Sequence, residues 1–212
     1  MTAMKRPDPL FSLCVATALC LAWSAVGTAD YAVWLFEVAL GVAGIVTLVL
    51  TRRQFPFSTL VYLLVGIHFA VLAAGGKYTY EAVPLGNWLR DLLHLSRNPF
   101  DRIGHFFQGF VPALIAREVL LRTTPLQRGR MVNFLAVCFC LALSAFYELL
   151  EWQIVVWFYP NAGPQWLGMQ GDPWDAQQDM LRALIGATVA VLALSRVHDR
   201  SMAALVAGKK SK

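Results

Sequence analysis

Apolar residues run along this chain in blocks of membrane-crossing length, broken by short polar or Pro/Gly-rich segments. About 20 residues at 1.5 Å rise cross a bilayer core, so each block predicts a transmembrane helix. Six such spans are predicted, at about residues 9–28, 31–50, 57–75, 103–122, 133–157 and 176–194. The second stops at Arg52-Arg53; the third begins after Pro56 and is expected to end at Gly75-Gly76, the usual proline-start and glycine-stop asymmetry. Lys5 and Arg6 ahead of the first block, and the small residues Gly27-Thr28-Ala29 after it, resemble a signal peptide. Because further spans follow, an uncleaved first helix is expected. Between the third and fourth blocks, Leu85, Trp88, Leu89, Leu92 and Leu93 repeat at helical spacing among Arg90, Asp91 and His94. That pattern predicts a short amphipathic helix in the membrane interface. The tail from Arg196 to Lys212 is basic and is expected to be mobile. The fold class is therefore all-α: a polytopic membrane helical bundle of six transmembrane helices plus a short interfacial helix. The whole chain, 1–212, forms one integral membrane domain.

Composition strengthens this and removes other classes. The chain is 58% hydrophobic and 15% charged, where a soluble domain carries about 25% charged residues. Its net charge of +5 does not signal nucleic acid, because no basic stripe interleaved with aromatics exists. The basic residues mark topology instead. All Lys and Arg residues except Lys77, Arg90, Arg97, Arg102 and Arg182 fall on the side that holds both termini. By the positive-inside rule that side is the cytoplasm, so a multi-pass protein with both termini cytoplasmic is expected. Cys14, Cys20, Cys138 and Cys140 lie within apolar runs, form no C-x-x-C pair, and read as small apolar fillers.

Candidate chemistry comes from polar residues inside the apolar blocks. In the fifth span Glu148 and Glu151 lie about 60° apart on one helical face, shared with Ser144 and Asn133. The fourth carries Asp101, His105, Gln108 and Pro112 at i, i+4, i+7 and i+11, and the sixth repeats the spacing with Asp175, Asp179, Arg182 and Gly186. Gly186 would let another helix approach closely. With the predicted orientation, the three stripes meet in the extracytoplasmic half. Ionisable groups at such depth face a protein interior or a wet cavity and mark function by default. Glu37 and His68 are also buried in spans and are expected to be structural. Asp101 and Asp175 have a second reading, as acidic partners of helix N-terminal dipoles. Arg182 likewise has one, as a simple counter-charge to Asp179 or Glu151.

A histidine among carboxylates suits a divalent metal such as Zn, Mn or Mg, with His105, Glu148, Glu151, Asp101, Asp175 and Asp179 as the donor set. The same groups suit acid–base work: His105 as base, Glu148, Glu151 and Asp179 as its partners, and Arg182 as a clamp for an anionic head group. No H-E-x-x-H, G-x-S-x-G or phosphate-loop pattern names a reaction.

The blocks RNPFDRIGHFFQGFVPALIARE, YELLEW and GDPWDAQQDMLRALIGA resemble those of the bacterial YjdF-type inner-membrane proteins, a family classed as a domain of unknown function. The resemblance spans nearly the whole chain and implies a six-helix membrane protein without assigning an activity. A weaker likeness is to VanZ-like membrane proteins: Asp101, His105 and Phe106 match their D-K-x-x-H-F block, with Arg102 replacing lysine. Glu148, then Asp175, Asp179 and Gly186, match the later blocks. That likeness implies a cell-envelope or lipid role. The sequence thus supports a membrane enzyme or binder of a lipid or envelope substrate, surrounded by membrane lipids. The alternatives are a small proton-coupled transporter or a non-catalytic assembly protein. Neither whether the protein is an enzyme nor its oligomeric state is legible in the chain.

Overall fold

The computed structural model describes residues 8–161, 163 and 167–210. Lys5, Arg6 and Lys212, which entered the charge pattern, lie outside the described residues, as do residues 162 and 164–166. Among the described residues the chain is all-helical, with seven helices: α1 Pro9–Ala25, α2 Tyr31–Thr51, α3 Thr59–Tyr78, α4 Pro84–Leu92, α5 Phe100–Thr123, α6 Arg130–Phe158 and α7 Asp175–Lys210. α2, α3, α6 and residues 175–205 of α7 are long and apolar enough to cross a membrane.

Local chemistry sets the helix starts. Asp8 caps α1 by accepting from Leu10 N–H at 3.0 Å, with Pro9 in the first turn. Asp30 caps α2 by accepting from the N–H groups of Ala32 (2.7 Å) and Val33 (3.2 Å). α1 lies along α3, and Lys77 donates to its last carbonyls, those of Trp23 (3.3 Å) and Val26. Its ammonium also sits 5.4 Å from the Trp23 ring centroid.

α3 corrects one expectation, since Gly75-Gly76 does not end it. The helix runs through both glycines to Tyr78 and stops at Thr79 and Tyr80, which adopt φ of 58° and 55°. The glycines are there for space. A Cβ at Gly75 would collide with the Tyr80 ring, and one at Gly76 would meet the Trp34 backbone at 3.2 Å. α4 is amphipathic as predicted, with Leu85, Trp88, Leu92 and Leu93 exposed on the protein surface.

The tail expected to be mobile is helical as far as Lys210, with residues 211–212 outside the described residues. α7 continues from Asp175 to Lys210, 36 residues or about 54 Å. The extension is held because His198 is fully buried. Its Nε2 lies 3.0 Å from Glu118 Oε2 and its Nδ1 3.1 Å from an Arg117 nitrogen. Glu118 also accepts from Arg122 (2.6 Å) and from the Ser58 backbone N–H (3.0 Å), while Arg117 donates to Asp199 (2.9 Å) and Asn133 (3.1 Å). Ser201 Oγ accepts from the Leu60 N–H at 3.1 Å, tying α7 to the start of α3. A buried charge is tolerated only when paired and hydrogen-bonded, and here every partner is present.

At the centre, α5 and α7 run side by side through a seam of small residues. Ala183, Ala187 and Ala190 are wholly buried. A Cβ at Gly186 would collide with the Phe106 carbonyl, and one at Gly109 with the Ala183 carbonyl. The close approach expected at Gly186 is thus present, in the manner of small-residue membrane packing. α3 and α6 pack on α5, and α2 packs chiefly on α3. Cys140 is buried in the core, Cys138 exposed, and all four cysteines are free.

Candidate functional site

The α5–α7 seam decides what meets at the end of the bundle where both helices begin. One turn before Gly109 stands His105; one turn before Ala183 stands Asp179. Bringing the two backbones together brings these two side chains together, and Asp101 lies one further turn up α5. One ligand atom from each of Asp101, His105 and Asp179 lies within 4.8 Å of the others. All three residues are buried, Asp179 to 2% exposure.

The hydrogen bonding around the imidazole is asymmetric. Nδ1 lies 3.1 Å from Gln108 Oε1 and 3.5 Å from Glu148 Oε1. With Nδ1–H donated to the Gln108 amide oxygen, Nε2 carries a lone pair and looks at Asp101 Oδ1, 3.5 Å away. Asp179 Oδ1 and Glu148 Oε1 are buried with no hydrogen-bond partner. Two carboxylate oxygens of the cluster are thus buried without a hydrogen-bond donor.

Asp101 is oriented by Arg97, a residue counted in the sequence only for its charge. Its guanidinium, on the chain just before α5, donates to Asp101 Oδ2 at 3.3 Å and pairs closely with Asp175. It also donates to the carbonyls of Gly168 and Met169, both at 3.2 Å. One arginine thus joins the first turns of α5 and α7 to the loop ahead of α7. Arg102 adds an ion pair to Asp172 at 3.0 Å, and Gln170 exchanges two hydrogen bonds with the Asn98 backbone.

Across from His105, Glu37 on α2 accepts from Tyr80 (2.8 Å) and Tyr147 (3.0 Å). The Tyr147 ring stands edge-on to His105, with centroids 6.0 Å apart. Glu37, Asp101, His105, Gln108, Glu151 and Asp179 all border one cavity of about 840 Å³. His68 borders it too, with Nε2 unpartnered and its ring stacked on Phe107 at 6.5 Å.

The four residues of the α5 stripe, Asp101, His105, Gln108 and Pro112, all line that cavity, as does Glu151 from α6. The α7 stripe divides. Asp179 faces the cavity, Asp175 is engaged by Arg97, and Gly186 serves the helix seam. Arg182 forms no ion pair among the described residues, and its buried Nε has no partner. Tyr80, Tyr147 and Arg97 were not among the candidates. The signal for Arg97 was its place four residues before Asp101, but a residue outside the apolar block offered no helical face to read.

Comparison with known proteins adds identity of family. Residues 9–200 match the family model described as "Predicted membrane protein (DUF2238)". The chain is 42% identical over 202 residues to "Inner membrane protein YjdF" of Escherichia coli strain K12, covering 95% of this chain and 96% of that protein. No solved structure matches. The likeness to VanZ-like proteins rests on its three short blocks alone.

Proposed function

The chain belongs to the DUF2238 family of membrane proteins, and from that premise we propose that it holds a divalent metal at Asp101, His105 and Asp179 and acts there on a lipid or cell-envelope substrate. One observation carries the reading: Asp179 Oδ1 is buried without a partner beside a histidine whose other nitrogen is held by Gln108. An outer partner fixing the second ring nitrogen is the usual arrangement for a metal-bound histidine. Three protein donors leave coordination positions for water or a substrate oxygen, which the ion would polarise. Glu148, on the Nδ1 side of the ring, and Glu151, on the cavity wall, serve as acid–base partners in this reading. Arg182, with its free Nε, clamps an anionic head group. Asp175 supports the site through Arg97.

The same reading takes the chain as one six-span domain with both termini cytoplasmic and the site in the extracytoplasmic half. α5 carries more charged residues than α2 or α3, but at 24 residues, about 36 Å, it is long enough, and its polar face turns inward. α1, at 17 residues, is the shortest of the six. Proton-coupled transport has less support, because below Gln108 α5 offers the cavity only Val111, Pro112 and Ile115.

The test is elemental analysis of purified protein after metal loading with Zn, Mn or Mg. About one ion per chain is expected, lost in His105→Ala and Asp179→Asn while both variants remain folded. Metal-free protein after loading, or full occupancy in both variants, would overturn the proposal.

A further inference from the structure

The cavity does not end at the polar cluster. It continues along α2 through Leu40, Gly41, Gly44 and Leu48 toward Thr51, facing Leu143 and Phe146 of α6. α2 and α6 meet near Glu37, where Tyr147 hydrogen-bonds the carboxylate and the Phe36 and Tyr147 rings lie 5.6 Å apart. Below that point the walls stand open: Leu40 is 47% and Phe146 62% exposed, and a Cβ built on Gly44 meets nothing within 4 Å. Apart from Glu37, α2 carries no charged residue, only the hydroxyls of Tyr31, Thr47 and Thr51, as suits a helix whose open side meets hydrocarbon rather than water. From Glu37 to Leu48 the trench is 11 residues long, about 16 Å of helix. That is roughly half of a 30 Å bilayer core, the depth of one leaflet.

We infer that this trench holds the hydrocarbon chain of a phosphate-headed bilayer lipid, entering sideways between α2 and α6, with its head at the Asp101–His105–Asp179 group. The chain matches an apolar, lipid-facing slot that glycine keeps open. The head half of the inference rests on the metal reading above. Carboxylates ring that end, so a phosphate enters it with the ion as counter-charge beside Arg182, and the ion's open positions would accept its oxygens. The unpartnered Asp179 oxygen points to a ligand there independently of the trench.

The test uses full-length protein in detergent, loaded with metal and titrated with palmitoyl lysophosphatidic acid under native mass spectrometry. Wild type is expected to take one lipid. Gly44→Phe, whose Cβ meets nothing within 4 Å and whose ring would enter the trench, should weaken binding at least tenfold with metal content unchanged. Val46→Phe, on an exposed part of α2 outside the cavity lining, should bind as wild type does. Equal binding by the two variants, with metal present, overturns this inference alone. Lipid bound and lost in Gly44→Phe, with no metal in any sample, overturns the metal reading and the head-group half with it.

Discussion

Replacing Arg97 by alanine removes the one cation that two buried carboxylates share. Asp101 and Asp175 are 8% and 5% exposed, and Arg97 itself is 8% exposed. Its contacts are ion pairs to both carboxylates, a longer one to Asp172 at 3.9 Å, and hydrogen bonds to the Gly168 and Met169 carbonyls. Breaking a buried ion pair by deleting one partner costs about 3–5 kcal/mol, because the other charge is left buried and uncompensated. For a domain of 150–250 residues, 1 kcal/mol moves the midpoint by about 2–4 °C, so a fall of about 6–20 °C is expected. The assay is thermal unfolding of detergent-purified protein, followed by tryptophan fluorescence at a fixed scan rate. Arg97→Lys should rescue only part of the loss, since an ammonium is a point charge and cannot span two carboxylates and two carbonyls. A double-mutant cycle with Asp175→Asn isolates the pair: the double variant should be more stable than the sum of single losses implies. A midpoint within about 2 °C of wild type for Arg97→Ala, or strict additivity in the cycle, would refute the reasoning.

Two further outcomes follow from other parts of the bundle. Ending the chain after Leu194 removes His198, Asp199 and Ser201 and leaves the buried Arg117 without its Asp199 ion pair; about 3–5 kcal/mol should be lost, and limited proteolysis between α3 and α5 should accelerate. Gly109→Leu should abolish folding into the membrane bundle, seen as loss of the monodisperse peak in size-exclusion chromatography, because its side chain would occupy the space of the Ala183 backbone.

The parts of the site that were legible in the sequence are those written in helical periodicity. Asp101, His105, Gln108 and Pro112 share a face in any helix, and apolar neighbours on the remaining faces turn that face inward. Gly186 was legible for the same reason. What escaped notice depends on contacts between segments far apart in the chain. Arg97 reaches Asp175 across 78 positions, and Tyr147 reaches Glu37 across 110, so no local pattern announces either. Gly75-Gly76 misled because glycine marks both helix ends and tight approaches, and only the position of Tyr80 separates the two. The tail looked mobile because it is basic; it is helical because His198, a residue of ordinary appearance in sequence, fits between Arg117 and Glu118. Asp175 fitted the metal stripe by spacing, but spacing carries no information about which cation a carboxylate will face.

The pairing of α5 with α7 has a mechanical consequence. The two helices are bolted at both ends, by Arg97 at one and by the Arg117–Glu118–His198 network at the other, and between the bolts their backbones touch. That pair behaves as a fixed jaw. α2, which packs chiefly on α3 and meets α6 near the two tyrosines on Glu37, is the other jaw. A change in the width of the trench is then expected as movement of α2 against α6, and the hydrogen bonds of Tyr80 and Tyr147 to Glu37 are the contacts it would strain.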